Sequence, residues 1–486
     1  MQFSAARPFR LLAALCLAAA VPLAASADTI YLKNGRKITA DHVVQENGQV
    51  SYETAEGKLS LPASIVDHVV RDAAPLESTA GAARDRAANL PIAPPDALGQ
   101  TGNNDAARAA VLDGSIDAEL LDKLESEASA NPSATTVARV VAAESAAAQF
   151  EISVGDFEKA ADHYTAGLRF APDNVGLLLE AAYLHLRSSE YSAALDLLDR
   201  ARRIEPDSFD AAKLAGWAYY GLNRVSDAVA EWKRALALKP DEEVQHALEK
   251  AERDAQEEAS YSEGETQHFH LLYNGAAAPE LASAVLQTLE ADFSEISNTL
   301  NYVPPEAIGV VLYTNQTFMD ITRAPGWVGA LNDGRIRVPV EGLTSVTDQL
   351  ARVLKHELTH SFVGQMTGQR CPVWLQEGIA QYMEGKRSRS AAAALSSAYE
   401  HHMEFSLASY ETSWLNLPPE TAAKAYAWSL AVVEAMVAND GMDDVERILE
   451  RINAQSSTED AIHAVLHDSY ADLMQSTVEY LRKAYL

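Results

Sequence analysis

Two histidines in this sequence stand at a spacing that suits metal binding. The stretch from Leu350 to Val363 has apolar residues at helical intervals and no Gly or Pro before Gly364, so it predicts an amphipathic helix. His356 and His360 are four residues apart and therefore lie on one face of that helix, where two imidazoles can reach one ion. Glu357 points aside, toward a water molecule that such an ion would hold.

A third metal ligand is predicted in the next helix. The segment 364–372 breaks the first helix, and a second one is expected to start near Val373. Glu377 follows His360 by 17 residues, so an antiparallel helix can return its carboxylate to the histidines. Two imidazoles and one carboxylate leave a fourth tetrahedral position for water, as a catalytic zinc site requires. We therefore predict one Zn²⁺ bound by His356, His360 and Glu377.

The two elements together resemble a known family. His356-Glu-Leu-Thr-His360 has the H-E-x-x-H pattern, and Trp374-Leu-Gln-Glu-Gly-Ile-Ala380 follows it. This pair of motifs resembles the gluzincin zinc peptidases, specifically the bacterial peptidase MA-like domains, over residues 265–486. The resemblance implies a zincin-like α+β domain that hydrolyses peptide bonds. Several gluzincins carry an acidic residue four positions after the ligand glutamate; here Gln381 takes that place, and its amide oxygen could support a ligand histidine instead.

The motif and the resemblance also imply a mechanism. Zinc lowers the pKa of its bound water toward about 7, and Glu357 would take the proton and later deliver it to the leaving amine. Similar domains have a Tyr on the helix after the ligand glutamate, which makes Tyr426 the first candidate for stabilising the oxyanion and Tyr382 the second. By the same resemblance, residues 329–338 would hold the substrate in extended form. Pro339 predicts that this strand lies at the edge of its sheet.

The beginning of the chain has the pattern of an export signal. Arg7 and Arg10 precede an apolar run from Leu11 to Val21, and Ala25-Ser-Ala27 follows. This pattern predicts a signal peptide over residues 1–27, cleaved after Ala27, and hence a periplasmic or secreted protein. The apolar run is too short to span a bilayer, and no other stretch is long and apolar enough. We expect no integral membrane segment in the mature chain.

The net charge and the cysteine content exclude some partners and one kind of cross-link. The formal net charge is −30, and removal of residues 1–27, which hold two arginines and no acidic residue, would change it to −32. Such an acidic body repels nucleic acid and anionic lipid surfaces, so we expect no nucleic-acid partner. Only Cys371 would remain after cleavage, which excludes an intrachain disulfide.

Two short segments precede the central part of the chain. Alternating apolar and polar runs separated by Asn47-Gly48 and Glu56-Gly57 predict a four- or five-stranded sheet or SH3-like barrel over residues 28–72. It could be a docking module or a simple appendage. Residues 73–135 are rich in Ala, Pro, Asp, Asn and Gly, which is typical of a flexible linker, with a short helix expected around residues 116–128.

Residues 136–260 contain a repeat with a period of 34 residues, which is the tetratricopeptide period. Small or aromatic residues recur where paired helices cross, and a proline ends each unit. These recurring positions are Ala160, Ala194 and Ala228; Gly167, Ala201 and Ala235; Tyr164, Leu198 and Trp232; and Pro172, Pro206 and Pro240. We predict three helical pairs and a polar capping helix over residues 243–259. The repeats could be a rigid spacer or a groove that holds a protein partner.

The predicted fold is therefore multidomain α+β: a small β domain, an α-solenoid and a zincin-like domain. We expect an exported zinc peptidase that acts on peptide or protein substrates and whose repeats recruit substrates or partners. Two alternatives stay open. The peptidase-like domain could be a catalytically silent binding scaffold, or the chain could be an envelope assembly or quality-control factor that acts through its repeats. The intact Glu357 argues against a silent scaffold, which has no need of a base.

Overall fold

The computed structural model describes most of the chain after residue 27. The predicted signal peptide, residue 329 of the predicted substrate strand and residues 73–103 of the predicted linker lie outside the described residues. The described ranges are 28–32, 37–46, 49–54, 57–62, 66–70, 104–112, 114–275, 279–322, 330–340, 342–403, 406–412, 414, 417–454 and 456–486. The chain divides into two compact units, residues 1–76 and residues 77–486.

The first unit is an antiparallel sheet of five strands. The strands are β1 (Asp28–Leu32), β2 (Lys37–Glu46), β3 (Gln49–Thr54), β4 (Gly57–Pro62) and β5 (Val66–Val70). They lie in the order β4-β3-β2-β1-β5, so consecutive strands pair as hairpins and β5 returns to the free side of β1. The number of strands agrees with the predicted four or five; the closed barrel stays a prediction.

The second unit begins with helices where the sequence predicted a linker. These are α1 (Asn104–Ala110) and α2 (Ala118–Ala130), joined by a small hairpin of β6 (Val111–Leu112) and β7 (Ser115–Ile116). Leu121 and Leu124 of α2 pack with alanines of the next helix in one buried cluster. The helix expected near residues 116–128 is thus present, and residues 104–130 are ordered rather than a linker, because alanine side chains suffice for close packing against another helix.

Six helices then form three antiparallel pairs, and a seventh ends the array. They are α3 (Ala134–Val154), α4 (Phe157–Phe170), α5 (Val175–Arg187), α6 (Tyr191–Ile204), α7 (Phe209–Gly221), α8 (Val225–Leu238) and α9 (Glu242–Glu258). The turn inside each pair has a left-handed residue at the same repeat position: Gly155, Ser189 and Asn223. A Cβ on Gly216 would lie 2.2 Å from the Trp232 ring, so glycine is needed where α7 and α8 touch.

A mixed sheet opens the C-terminal part of the chain. Its strands are β8 (Ser262–Glu265), β9 (Phe269–Tyr273), β10 (Ile308–Tyr313), β11 (Leu331–Asn332) and β12 (Arg335–Pro339). The order is β11-β12-β10-β9-β8, with β9, β10 and β12 parallel. The helices α10 (Pro279–Leu300) and α11 (Asn315–Thr322) follow β9 and β10. Each parallel connection thus contains a helix, as crossovers require.

The prediction that the Pro339 strand is an edge was wrong. The strand β12 has β10 on one side and the two-residue β11 on the other, so β11 is the edge. Val340 donates its backbone N–H to Tyr313 of β10, and successive residues of a strand alternate in direction. The nitrogen of Pro339 therefore faces away from β10, beyond the short β11, and the sheet loses no hydrogen bond there.

Helices complete the C-terminal part. They are α12 (Asp348–Met366), α13 (Val373–Met383), α14 (Ala392–Glu400), α15 (Pro419–Asn439), α16 (Met442–Asn453), α17 (Thr458–Leu466) and α18 (Tyr470–Tyr485). The later helices pack against α12 and α13. The closest approach is between α13 and α15, where a Cβ on Gly378 would lie 2.4 Å from the backbone oxygen of Ser429.

The capping helix α9 is joined to β12 by buried charges, which we call the ionic cluster. Its basic members are Lys250, Arg335 and Arg337, and its acidic members are Asp254, Glu258 and Asp333. Arg337 lies 2.8 Å from Asp254 and 2.9 Å from Asp333, and Arg335 lies 2.8 Å from Glu258. The side chains of both arginines are at most 2% exposed. The predicted polar cap thus uses its charges inside the molecule rather than toward solvent.

Candidate metal centre

The three predicted ligands meet inside the C-terminal part of the chain. His356, His360 and Glu377 are fully buried, and one ligand atom from each lies within 4.8 Å of the others. The Nε2 atom of His356 is 3.4 Å from Glu377 Oε2, and that of His360 is 3.7 Å from Glu377 Oε1. Donors bound at about 2.1 Å to one tetrahedral ion are separated by about 3.4 Å. The group therefore has the donor types and the spacing of a three-ligand zinc site.

A helix, a turn and a second helix bring these ligands together. The helix α12 starts where the Thr347 hydroxyl accepts the N–H of Leu350, and the turn after it has left-handed residues at Gly368 and Gln369. These positive φ angles reverse the chain, so α13 starts at Val373 and returns beside α12. Glu377 then lies one turn into α13, at the level of the two histidines.

A second carboxylate, that of Glu384, contacts the other ring nitrogen of His356. The Nδ1 atom of His356 is 3.3 Å from Glu384 Oε1, while Nε2 faces Glu377. Burial favours the neutral ring, but the two carboxylates outweigh this effect and raise the pKa of His356 to about 10. A carboxylate on the other ring nitrogen fixes the orientation of a metal-binding imidazole and makes it a stronger ligand.

From the sequence, Gln381 was the residue that could have supported a ligand histidine. Gln381 donates its side-chain Nε2 to two backbone oxygens, those of Glu377 at 3.2 Å and Tyr426 at 3.0 Å, and so links α13 to α15. Glu384 lies seven residues after Glu377, hence on the same helix face two turns later. The seven-residue spacing between Glu377 and Glu384 is visible in the sequence. The contact of Glu384 with His356 of α12 is not, because it depends on how the two helices pack.

The remaining candidate residues lie at different places. Glu357 is fully buried on α12. Tyr426 is 7% exposed on α15, with its ring against Trp414 at a centroid distance of 5.0 Å. Tyr382, the second choice for the oxyanion, is half-buried at the end of α13 with the Arg387 guanidinium 4.5 Å from the centre of its ring.

One residue that sequence reasoning missed ties the sheet edge to the ligand helix. Asn332 of β11 is buried and donates its side-chain amide to the backbone oxygen of Glu357 at 2.7 Å and to the Ser361 hydroxyl at 2.6 Å. Glu357 is therefore held at its backbone by the edge strand. Only the fold brings these residues, 25 positions apart, into contact.

Comparison with known proteins identifies two regions. Residues 305–481 match the model of the Peptidase MA superfamily. Residues 151–214 and 185–251 match tetratricopeptide repeats. The chain thus contains a peptidase MA superfamily domain preceded by tetratricopeptide repeats, and its buried His-His-Glu group could bind a metal ion. The resemblance inferred from the two motifs is confirmed.

Solved structures and curated proteins add less. MamA AMB-1 is similar at 22% sequence identity and a TM-score of 0.23, over 28% of this chain and 80% of that one. MamA MSR-1 gives 20% identity and the same TM-score, over 28% of this chain and 84% of that one. No curated protein matches the chain. Across the described residues, none of the helices has the length and apolar character needed to cross a bilayer.

Proposed function

We propose that this protein is a zinc-dependent peptidase that hydrolyses peptide bonds. The observation that carries this proposal is the buried group of His356, His360 and Glu377, spaced as a three-ligand zinc site is, with Glu357 on the same helix. The match of residues 305–481 to the Peptidase MA superfamily supports it. Three protein ligands leave one coordination position for solvent or substrate, which distinguishes catalytic from structural zinc.

Several residues of the protein would have separate roles in peptide hydrolysis. When bound, Zn²⁺ supplies Lewis-acid polarisation of the scissile carbonyl and acidifies water. Glu357 accepts the proton of the attacking water and transfers it to the leaving amine. Its burial excludes bulk water and strengthens its electrostatic interactions, while Asn332 fixes the backbone at Glu357. Glu384 orients His356 through Nδ1.

Two further assignments belong to the same proposal. Tyr426 is the candidate for stabilising the oxyanion, and Gln381 positions its backbone relative to α13. Among the described strands, β11 rather than β12 is at the end of the sheet, so β11 is the candidate to which an extended peptide would add. We further propose that the protein is exported, as the signal pattern of residues 1–27 predicts, and that its repeats bind substrate or partner proteins.

A peptide-library digest tests the proposal. Wild-type protein loaded with zinc is compared with Glu357→Gln, which removes the base and keeps the three ligands. We expect cleavage by the wild type and a loss of at least about a hundredfold in the variant. Equal cleavage by both would indicate a contaminant. No cleavage by either, with zinc bound to both, would favour the silent scaffold or the repeat-based assembly role.

A further inference from the structure

Two arginines meet on one phenylalanine where the repeats contact the turn between the metal-ligand helices. The guanidinium carbons of Arg187 and Arg370 lie 5.4 and 5.2 Å from the centre of the Phe157 ring. Phe157 begins α4, Arg187 ends α5, and Arg370 lies between α12 and α13. Three separate parts of the chain therefore bring two positive charges together in a protein with a formal net charge of −30.

These charges have no acidic partner among the residues that the structure describes. Arg370 donates its Nε to the backbone oxygen of Ile452 at 3.1 Å, but both terminal nitrogens are buried and form no hydrogen bond within the described ranges. Burial and the neighbouring charge of Arg187 together lower the pKa of Arg370 to about 10. Buried N–H groups without an acceptor and adjacent like charges both cost free energy, which an anion would recover.

We propose that Arg187 and Arg370 form a binding site for a carboxylate of a polypeptide ligand. A guanidinium presents parallel N–H groups that match the two oxygens of a planar carboxylate. The Phe157 ring holds both guanidinium groups by cation–π contact and restricts their motion. A polypeptide is the fitting source because the site borders tetratricopeptide repeats, which bind proteins.

The position of this site gives it a role distinct from peptide hydrolysis. Arg370 belongs to the segment that connects the helix carrying His360 to the helix carrying Glu377. A ligand anchored there lies across the junction of the repeats and the peptidase domain. Binding requires neither zinc nor Glu357, so this inference does not rest on the proposed activity and can be tested without it.

Fluorescence anisotropy with three labelled octapeptides tests the proposal on the full chain, in a chelator and at low ionic strength. The first peptide is capped at both ends and has one central glutamate. The second has glutamine there, and the third has glutamine and a free terminal carboxylate. We expect the glutamate peptide or the free-end peptide to bind at least about tenfold more tightly than the capped glutamine peptide. Which of the two binds tells whether the carboxylate comes from a side chain or a chain end.

Variants decide whether the two arginines cause this preference. Arg187→Gln and Arg370→Gln should each abolish the preference for a carboxylate, so that the peptides bind about equally. Arg203→Gln, at an exposed arginine of α6, should leave the preference unchanged. Arg187→Gln does not disturb the bond from Arg370 to Ile452, so it remains informative if Arg370→Gln unfolds. Equal binding of all three peptides, no binding, or a preference that survives Arg187→Gln would each overturn the proposal.

Discussion

The ionic cluster and the metal-ligand group are both buried, yet they differ in how their charges are balanced. In the ionic cluster three basic and three acidic side chains neutralise one another, and Tyr313 and Tyr220 add hydrogen bonds to Glu258 and Asp254. Around His356 and His360 stand the carboxylates of Glu377 and Glu384, with the buried Glu357 next to His356 in the chain. Lys386 is 3.0 Å from Glu384.

This difference separates a structural group of charges from one that suits a cation. A balanced, hydrogen-bonded set of buried charges holds two elements in one arrangement and gains nothing from an added ion. An excess of buried negative charge around two imidazoles is stabilised by a divalent cation. The pattern of charge therefore distinguishes the two groups, although both lie largely inside the protein.

The largest effect is expected from removal of a metal ligand. Glu377→Gln leaves two histidines and takes away one negative charge, so zinc affinity should fall by more than about a hundredfold. Metal analysis after dialysis should give about one zinc per wild-type chain and almost none in the variant. His463→Ala, at an exposed histidine of α17, is the control and should retain zinc. Equal zinc content in Glu377→Gln and wild type would mean that the carboxylate is not a ligand.

Breaking the ionic cluster should have the next largest effect, on stability. Asp254→Asn leaves Arg337 buried with an incomplete set of acceptors, and we expect a loss of about 3–5 kcal/mol in the free energy of unfolding. Glu400→Gln breaks an exposed pair with Arg482 and should cost no more than about 1 kcal/mol. Urea unfolding measures both. Similar losses in the two variants would show that the cluster is not structural.

Close packing, rather than paired charge, holds the ligand helix α13 in place. Gly378→Ala would bring a Cβ within 2.4 Å of the Ser429 oxygen and push α13 away from α15, so we expect a loss of about 1–3 kcal/mol in stability and weaker zinc binding. Gly275→Ala has open space around its Cβ and is the control. Unchanged stability and zinc affinity in Gly378→Ala would show that α13 tolerates displacement.

The buried carboxyl group of Glu180 shows the effect of burial on a single ionisable side chain. Burial, with a smaller contribution from Asp210, raises the pKa of Glu180 to about 7. Because the folded state then holds the proton more tightly, stability from this group is present below pH about 4.5 and lost as the pH rises through about 7. Glu180→Gln should therefore be more stable than wild type at pH 8, by on the order of 2 kcal/mol, and differ little at pH 4.5.

Thermal unfolding at the two pH values measures this difference. Glu263→Gln, at an exposed position of β8, serves as the control and should follow the wild type at both. A Glu180→Gln variant whose advantage does not depend on pH would mean that the carboxyl titrates normally.

Local patterns in the sequence predicted which side chains meet in the buried His-His-Glu group, because helical spacing places His356 and His360 on one face without reference to the rest of the fold. The repeat period and the strand β12 followed from equally local signals. The contacts of Glu384 and Asn332 with α12 were not predicted, since each depends on which elements become neighbours. The edge assignment of the Pro339 strand failed for the same reason: Pro339 excludes a hydrogen bond, but not the short partner β11.

The ionic cluster sets a limit on how this chain can be divided. A fragment that starts after α9 would retain Arg335, Arg337 and Asp333 but lose Lys250, Asp254 and Glu258. Its two arginines would then be either exposed to solvent or buried with too few acidic partners. The ionic cluster takes one further contact from the helical pair before it, the hydrogen bond from Tyr220 of α7 to Asp254. The last helix of the array must therefore be inherited together with the C-terminal part of the chain, as though it were one of that part's own elements.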